Sequence, residues 1–96
     1  MEGGFEWNEK KAASNLKKHG VSFEEAALAF YDPNALFWID RGRSQANEER
    51  EICMGLTEQG ILVVVFTERQ SGGRIRVISA RRANKKERAY YHEKQD

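Results

Sequence analysis

The residues best equipped for chemistry lie between Arg69 and Arg88. Eight basic residues (Arg69, Arg74, Arg76, Arg81, Arg82, Lys85, Lys86 and Arg88) stand there against one acidic residue, Glu87. This local charge of +7 is hidden in a formal net charge of +1, because Glu24 to Glu68 carries nine acidic residues against three basic ones. Charge sorted by segment suggests one surface for a polyanion and another for a different partner, although a merely solvated surface has the same composition. The run Arg74 to Arg81 sharpens the choice. Strict alternation puts Arg74 and Arg76 on one face with Ile78 and Ala80, and Ile75, Val77, Ser79 and Arg81 on the other. Arginine presents a rigid fork to phosphate and stacks on bases, whereas lysine or glutamate would serve solubility as well. Arg74, Arg76, Arg82, Lys85 and Lys86 are therefore the candidate RNA-binding residues.

Other residues could add turnover to binding. His19 is of the residue type best suited to proton transfer, and it stands with Lys18 where a helix should end and a cation is favoured. Capping that helix would explain both equally well. Arg50 shares a strand face with Ile52, Met54 and Leu56, so it either pairs with a carboxylate such as Glu68 or faces a groove. Arg69 and Arg81 end strands. Glu49 or Glu68 could act as a base, but a carboxylate among arginines is more often their counter-ion. Trp7, Trp38, Tyr90 and Tyr91 read as packing residues, and His92 lies near a terminus. With a single cysteine, Cys53, and two histidines far apart, no zinc spacing is present and no metal is expected. No glycine-rich phosphate loop or other cofactor motif is found.

Local signals define the elements that must position these groups. Asn8 is an N-cap, Ala12, Ala13 and Leu16 follow at helical spacing, and Gly20 supplies the stop, giving a helix from about Asn8 to His19. Ser22 with Glu25 forms a capping box before Phe23, Ala26, Ala27 and Phe30, until Asp32-Pro33 breaks the pattern. From Ala35 the period becomes two. Strands are expected over Ala35 to Ile39, Glu49 to Leu56, Ile61 to Thr67 and Arg74 to Arg81, with the unbroken apolar run Ile61 to Phe66 in the centre, covered on both faces. Asp40 to Glu48 reads as a variable loop. Asn84 and Glu87 begin a last helix that ends near Tyr91. The expected fold is α+β: a four-stranded antiparallel meander with two N-terminal helices and a C-terminal helix. Ninety-six residues make one domain, 1–96, too small for a deep cofactor pocket. No membrane span or secretory signal is evident, so a cytoplasmic location is expected.

These residues also resemble a known family. Phe5-Glu6-Trp7-Asn8-Glu9-Lys10-Lys11, then Asn15-Leu16-Lys17-Lys18-His19-Gly20-Val21-Ser22-Phe23, is similar to the start of the BrnT toxins. The resemblance continues through Glu49-Arg50, Phe66-Thr67-Glu68-Arg69 and Arg76-Val77-Ile78-Ser79-Ala80-Arg81-Arg82-Ala83. Members usually carry Asp at the position of Asn8, an exchange between near-equal N-caps. The resemblance implies a RelE-like fold, metal-independent cleavage of RNA, inhibition of translation, and a BrnA-type antitoxin with a ribbon-helix-helix part through which DNA is contacted indirectly. Cleavage of this kind uses the 2′-OH as nucleophile. The enzyme must take its proton, stabilise charge on the phosphate and protonate the leaving 5′-oxygen. Lys18, His19, Arg50, Arg69 and Arg81 are the candidate catalytic residues, and Arg50, Arg69 and Arg81 are expected to converge. The rival class is a non-catalytic module that binds nucleic acid or protein with the same arginines. RNA fragments ending in 2′,3′-cyclic phosphate would exclude it.

Overall fold

A computed structural model describes residues 4–42, 48–68 and 73–95. In chain order they form β1 (Phe5–Glu6), α1 (Glu9–His19), α2 (Phe23–Leu28), a 3₁₀ turn (Ala29–Tyr31), β2 (Leu36–Ile39), β3 (Glu51–Thr57), β4 (Gly60–Glu68), β5 (Ile75–Arg82) and α3 (Lys85–Glu93). The helix ends follow local chemistry. The Asn8 side chain accepts from Lys11 N–H and Ser22 Oγ from Glu25 N–H, each at 3.0 Å. Gly20 takes the left-handed conformation, φ 72°, and returns its N–H to the Leu16 carbonyl. At α3 the capping box is complete, with Asn84 and Glu87 each accepting from the other's backbone N–H at 2.8 Å.

The sheet order is β1-β5-β4-β3-β2. The antiparallel meander β2-β3-β4-β5 is present, but the sheet has five strands and is mixed, because β1 adds in parallel to β5 with Phe5 opposite Ile75 and Glu6 opposite Arg76. The fold thus agrees with expectation as α+β and differs in detail from the plain four-stranded, RelE-like plan. Two residues before a helix cap carry no strand period of their own, so only the edge of β5 makes them a strand.

β4 runs through the middle, and Ile61 to Thr67 are all buried. Leu62, Val64 and Phe66 meet Val21, Phe23, Ala26 and Ala29 of the α1 and α2 side, together with Cys53, Ile75, Val77 and Ala80. Ile61 and Val63 point the other way and pack with Met54, Ala83 and Tyr91. Gly55 is required where the 3₁₀ turn crosses β3, since a Cβ there would lie 2.2 Å from the Ala29 carbonyl oxygen.

One irregularity decides the placement of the arginines. Val65 pairs with Ser79 but Phe66 pairs with Val77, so Ile78 is an extra residue in β5. This bulge overturns the strict alternation expected from the sequence. Ala80 joins Ile75 and Val77 on the α1 side, while Ser79 and Arg81, opposite Val65 and Val63, share the α3 side with Arg76, opposite Thr67.

Candidate functional site

The side chain of Asn15 fixes α1 against the sheet. Among the described residues, no strand covers the outer edge of β5 beyond Arg76. Asn15, buried in the middle of α1, takes the place of one: its Oδ1 accepts from Ala80 N–H at 3.1 Å and its Nδ2 donates to the Ala80 carbonyl at 2.8 Å. Nδ2 also donates to the Val21 carbonyl at 3.0 Å, which ties down the chain after the helix. Lys18 and His19, one turn further on, are thereby carried to the β5 edge beside Ser79 and Arg81. Arg82 closes the same corner, donating from Nη1 to the His19 carbonyl at 3.4 Å and from Nη2 to Gln59 Oε1 at 3.2 Å.

Between these groups lies an open cavity of about 500 Å³. Its polar lining is Lys18, His19, Asp40, Ser79 and Arg81, and its floor is Ile52, Val63 and Val65 on the α3 side of the sheet. Arg81 is held in place by Glu87, whose two carboxylate oxygens accept from its Nη1 and Nη2 at 2.8 Å each. Hydrogen bonding from Arg81 is the main reason the Glu87 carboxyl sits below its ordinary range, and the same bond pushes the Arg81 guanidinium up. A further bond runs from Nη1 to the Arg82 carbonyl. Of the five guanidinium donors, Nε–H and one Nη2–H have no partner among the described residues.

The sequence candidates therefore separate. Lys18, His19 and Arg81 come together at one cavity. Arg50 does not join them: it precedes β3, its Nε lies 3.3 Å from Glu48 Oε1, and it is absent from the cavity lining. The register puts Arg50 next to the pair Glu51 and Phe66, several residues along the sheet from the Val63 and Arg81 pair, so it lies outside the cavity lining. Arg69 lies outside the described residues. Arg74 and Arg76 both pair with Glu6, at 2.9 and 2.8 Å, so β1 neutralises part of the basic segment. Arg82, Lys85 and Lys86 are exposed, the two lysines in the first turn of α3. Glu68 faces the α1 side, opposite Ile75, where a side-chain hydrogen bond joins it to Glu51.

Ser79 and Asp40 were not singled out as site residues from sequence. Ser79 carried a signal, since the alternation already set it beside Arg81. Asp40 follows β2 in a polar loop, and only the fold brings it in. Tyr91, read as packing, is buried and donates its hydroxyl to Asp32, a contact that pins α3 to the segment before β2. Burial, then the Asp32 bond and charge, push the Tyr91 phenol up to about 12. Among the described residues no three His, Cys, Asp or Glu side chains form a group that could hold a metal ion. No described helix is long and apolar enough to cross a membrane.

An α+β domain with a mixed sheet and a basic, histidine-containing cavity at one sheet edge defines a class of small proteins suited to anionic ligands. The family model of BrnT, the ribonuclease toxin of type II toxin–antitoxin systems, matches residues 7–87, and the chain belongs to that family. No individual curated protein matches the chain. The family carries with it an antitoxin partner and an RNA target.

Proposed function

We propose that this toxin is a metal-independent, cytoplasmic endoribonuclease, and that it cuts RNA in the cavity between the end of α1 and β5. The observation that carries the reading is the meeting of Lys18 and His19 with Arg81, 62 or more positions away in sequence, around one opening with an apolar floor. His19 is the group to move the proton of the 2′-OH or of the leaving 5′-oxygen. Arg81 offers the two donors that have no partner among the described residues, and Lys18 its ammonium, to the phosphate as it gains charge. Ile52, Val63 and Val65 give a base a dry surface. Arg82 at the end of β5, and Lys85 and Lys86 in the first turn of α3, extend the positive surface. The antitoxin, of BrnA type, would silence the enzyme by covering this groove.

The ion pairs favour a second reading. Arg74, Arg76 and Arg81 all have carboxylate partners within the chain, as expected of a structural or purely binding role. Product chemistry separates the two. Purified protein incubated with end-labelled RNA in EDTA should yield fragments ending in 2′,3′-cyclic phosphate. Intact RNA at high protein concentration would leave the binding module.

A further inference from the structure

On the opposite side of the sheet, at the other end of β4, lies a second cleft of about 440 Å³. Its walls are the rings of Phe30, Phe37 and Phe66, with centroids 4.9 to 6.3 Å apart, and Ile75. Phe37 stands on the edge strand β2 and is 52% exposed. An aromatic groove open to solvent at a sheet edge is a docking feature in its own right. Its lining also includes two carboxylates, Glu51 and Glu68, hydrogen-bonded to one another.

The charge of the groove identifies its occupant. Glu6, Glu48 and Glu87 each pair with an arginine of the chain, whereas among the described residues Glu51 and Glu68 have no cationic partner. Burial, the bond from Glu68 and the charges of Glu68 and Glu49 push the Glu51 carboxyl up to about 7, so the pair holds a proton where a cation could sit. RNA is repelled from such a place. A guanidinium suits it better than an ammonium, because it bridges two carboxylates with a planar fork and stacks on rings.

We propose that this cleft receives an arginine side chain of the antitoxin, its guanidinium between Glu51 and Glu68 and its stem against Phe30, Phe37 and Phe66. The proposal rests on the family's antitoxin partner and not on the assignment of the cleavage cavity. The surface that holds the inhibitor would then be distinct from the surface that cuts, and a single antitoxin chain could engage both.

The test uses the full-length toxin and its cognate antitoxin. Affinity is measured by calorimetry for wild type, for Glu51→Gln with Glu68→Gln, and for Phe37→Ala, with RNA cleavage by each protein measured in parallel. Loss of a buried arginine contact should weaken the complex about thirtyfold and leave cleavage unchanged. Replacing the responsible antitoxin arginine by glutamine should cost as much in wild type and little more in the double variant. Antitoxin binding by the double variant at wild-type affinity would overturn the proposal. So would a loss of RNA cleavage, which would place the cleft on the substrate path, or a concentration-dependent dimer abolished by the substitutions, which would make a second copy of the chain the occupant.

Discussion

Replacing Asn15 by alanine should be the most damaging single truncation outside the apolar core. The side chain satisfies three backbone groups, Ala80 N–H, Ala80 C=O and Val21 C=O, at 2.8 to 3.1 Å, and is itself only 7% exposed. Each buried group left without a partner costs about 1 to 3 kcal/mol, and some relief comes from water entering at the sheet edge. A net loss of about 3 kcal/mol follows, a large share of the 5 to 15 kcal/mol typical of a domain, and for about 96 residues it corresponds to a fall of roughly 12 to 24 °C in Tm. Thermal and urea unfolding of wild type, Asn15→Ala and Asn15→Asp would measure it. Aspartate keeps the acceptor for Ala80 N–H but sets a carboxylate oxygen against two carbonyls, so it should be at least as harmful as alanine. A shift of less than about 3 °C for alanine, or an aspartate variant as stable as wild type, would refute the view that this side chain replaces a missing strand.

Gly55→Ala should destabilise by about 2 kcal/mol or more, because its Cβ would meet the Ala29 carbonyl at 2.2 Å; denaturant midpoints read this directly. Glu51→Gln should raise Tm at pH 8. Folding holds this carboxyl near 7 against an ordinary 4.5, so wild type favours the protonated form and loses stability as pH rises through that window, while the glutamine variant should show a flatter profile between about pH 4.5 and 7. Reversing Arg81 to Glu should reduce growth arrest, whereas reversing Glu24 to Lys, on the exposed start of α2, should spare it once folding has been checked by circular dichroism.

The reach of the sequence can be judged from particular residues. Helix boundaries were legible because Asn8, Gly20, Ser22 and the Asn84–Glu87 pair act on their own neighbours. The meander was legible from a change of period. The strand Phe5–Glu6 was not, since its only support is an edge nearly seventy residues away. The same distance hides Glu6 as the partner of Arg74 and Arg76, which is why a run that sums to +7 is less positive in space than along the chain. Lys18, His19 and Arg81 could be named by type. That Asn15 would place them could not be seen, because a polar residue within a helix reads as solvent-facing until the bonded strand is known. The Ile78 bulge likewise has no sequence signal, yet it decides which face Arg81 shares.

Whether the cavity at the end of α1 cuts RNA is tested by the cleavage rates of four proteins: wild type, His19→Ala, Arg81→Gln and Glu87→Gln. Glutamine at position 87 keeps the helix cap and releases the Arg81 guanidinium from its carboxylate. If Arg81 serves the phosphate, Glu87→Gln should cleave within a few fold of wild type, roughly, while Arg81→Gln and His19→Ala each fall by about 10² or more. Wild-type cleavage by Arg81→Gln or by His19→Ala would contradict the assignment of the site.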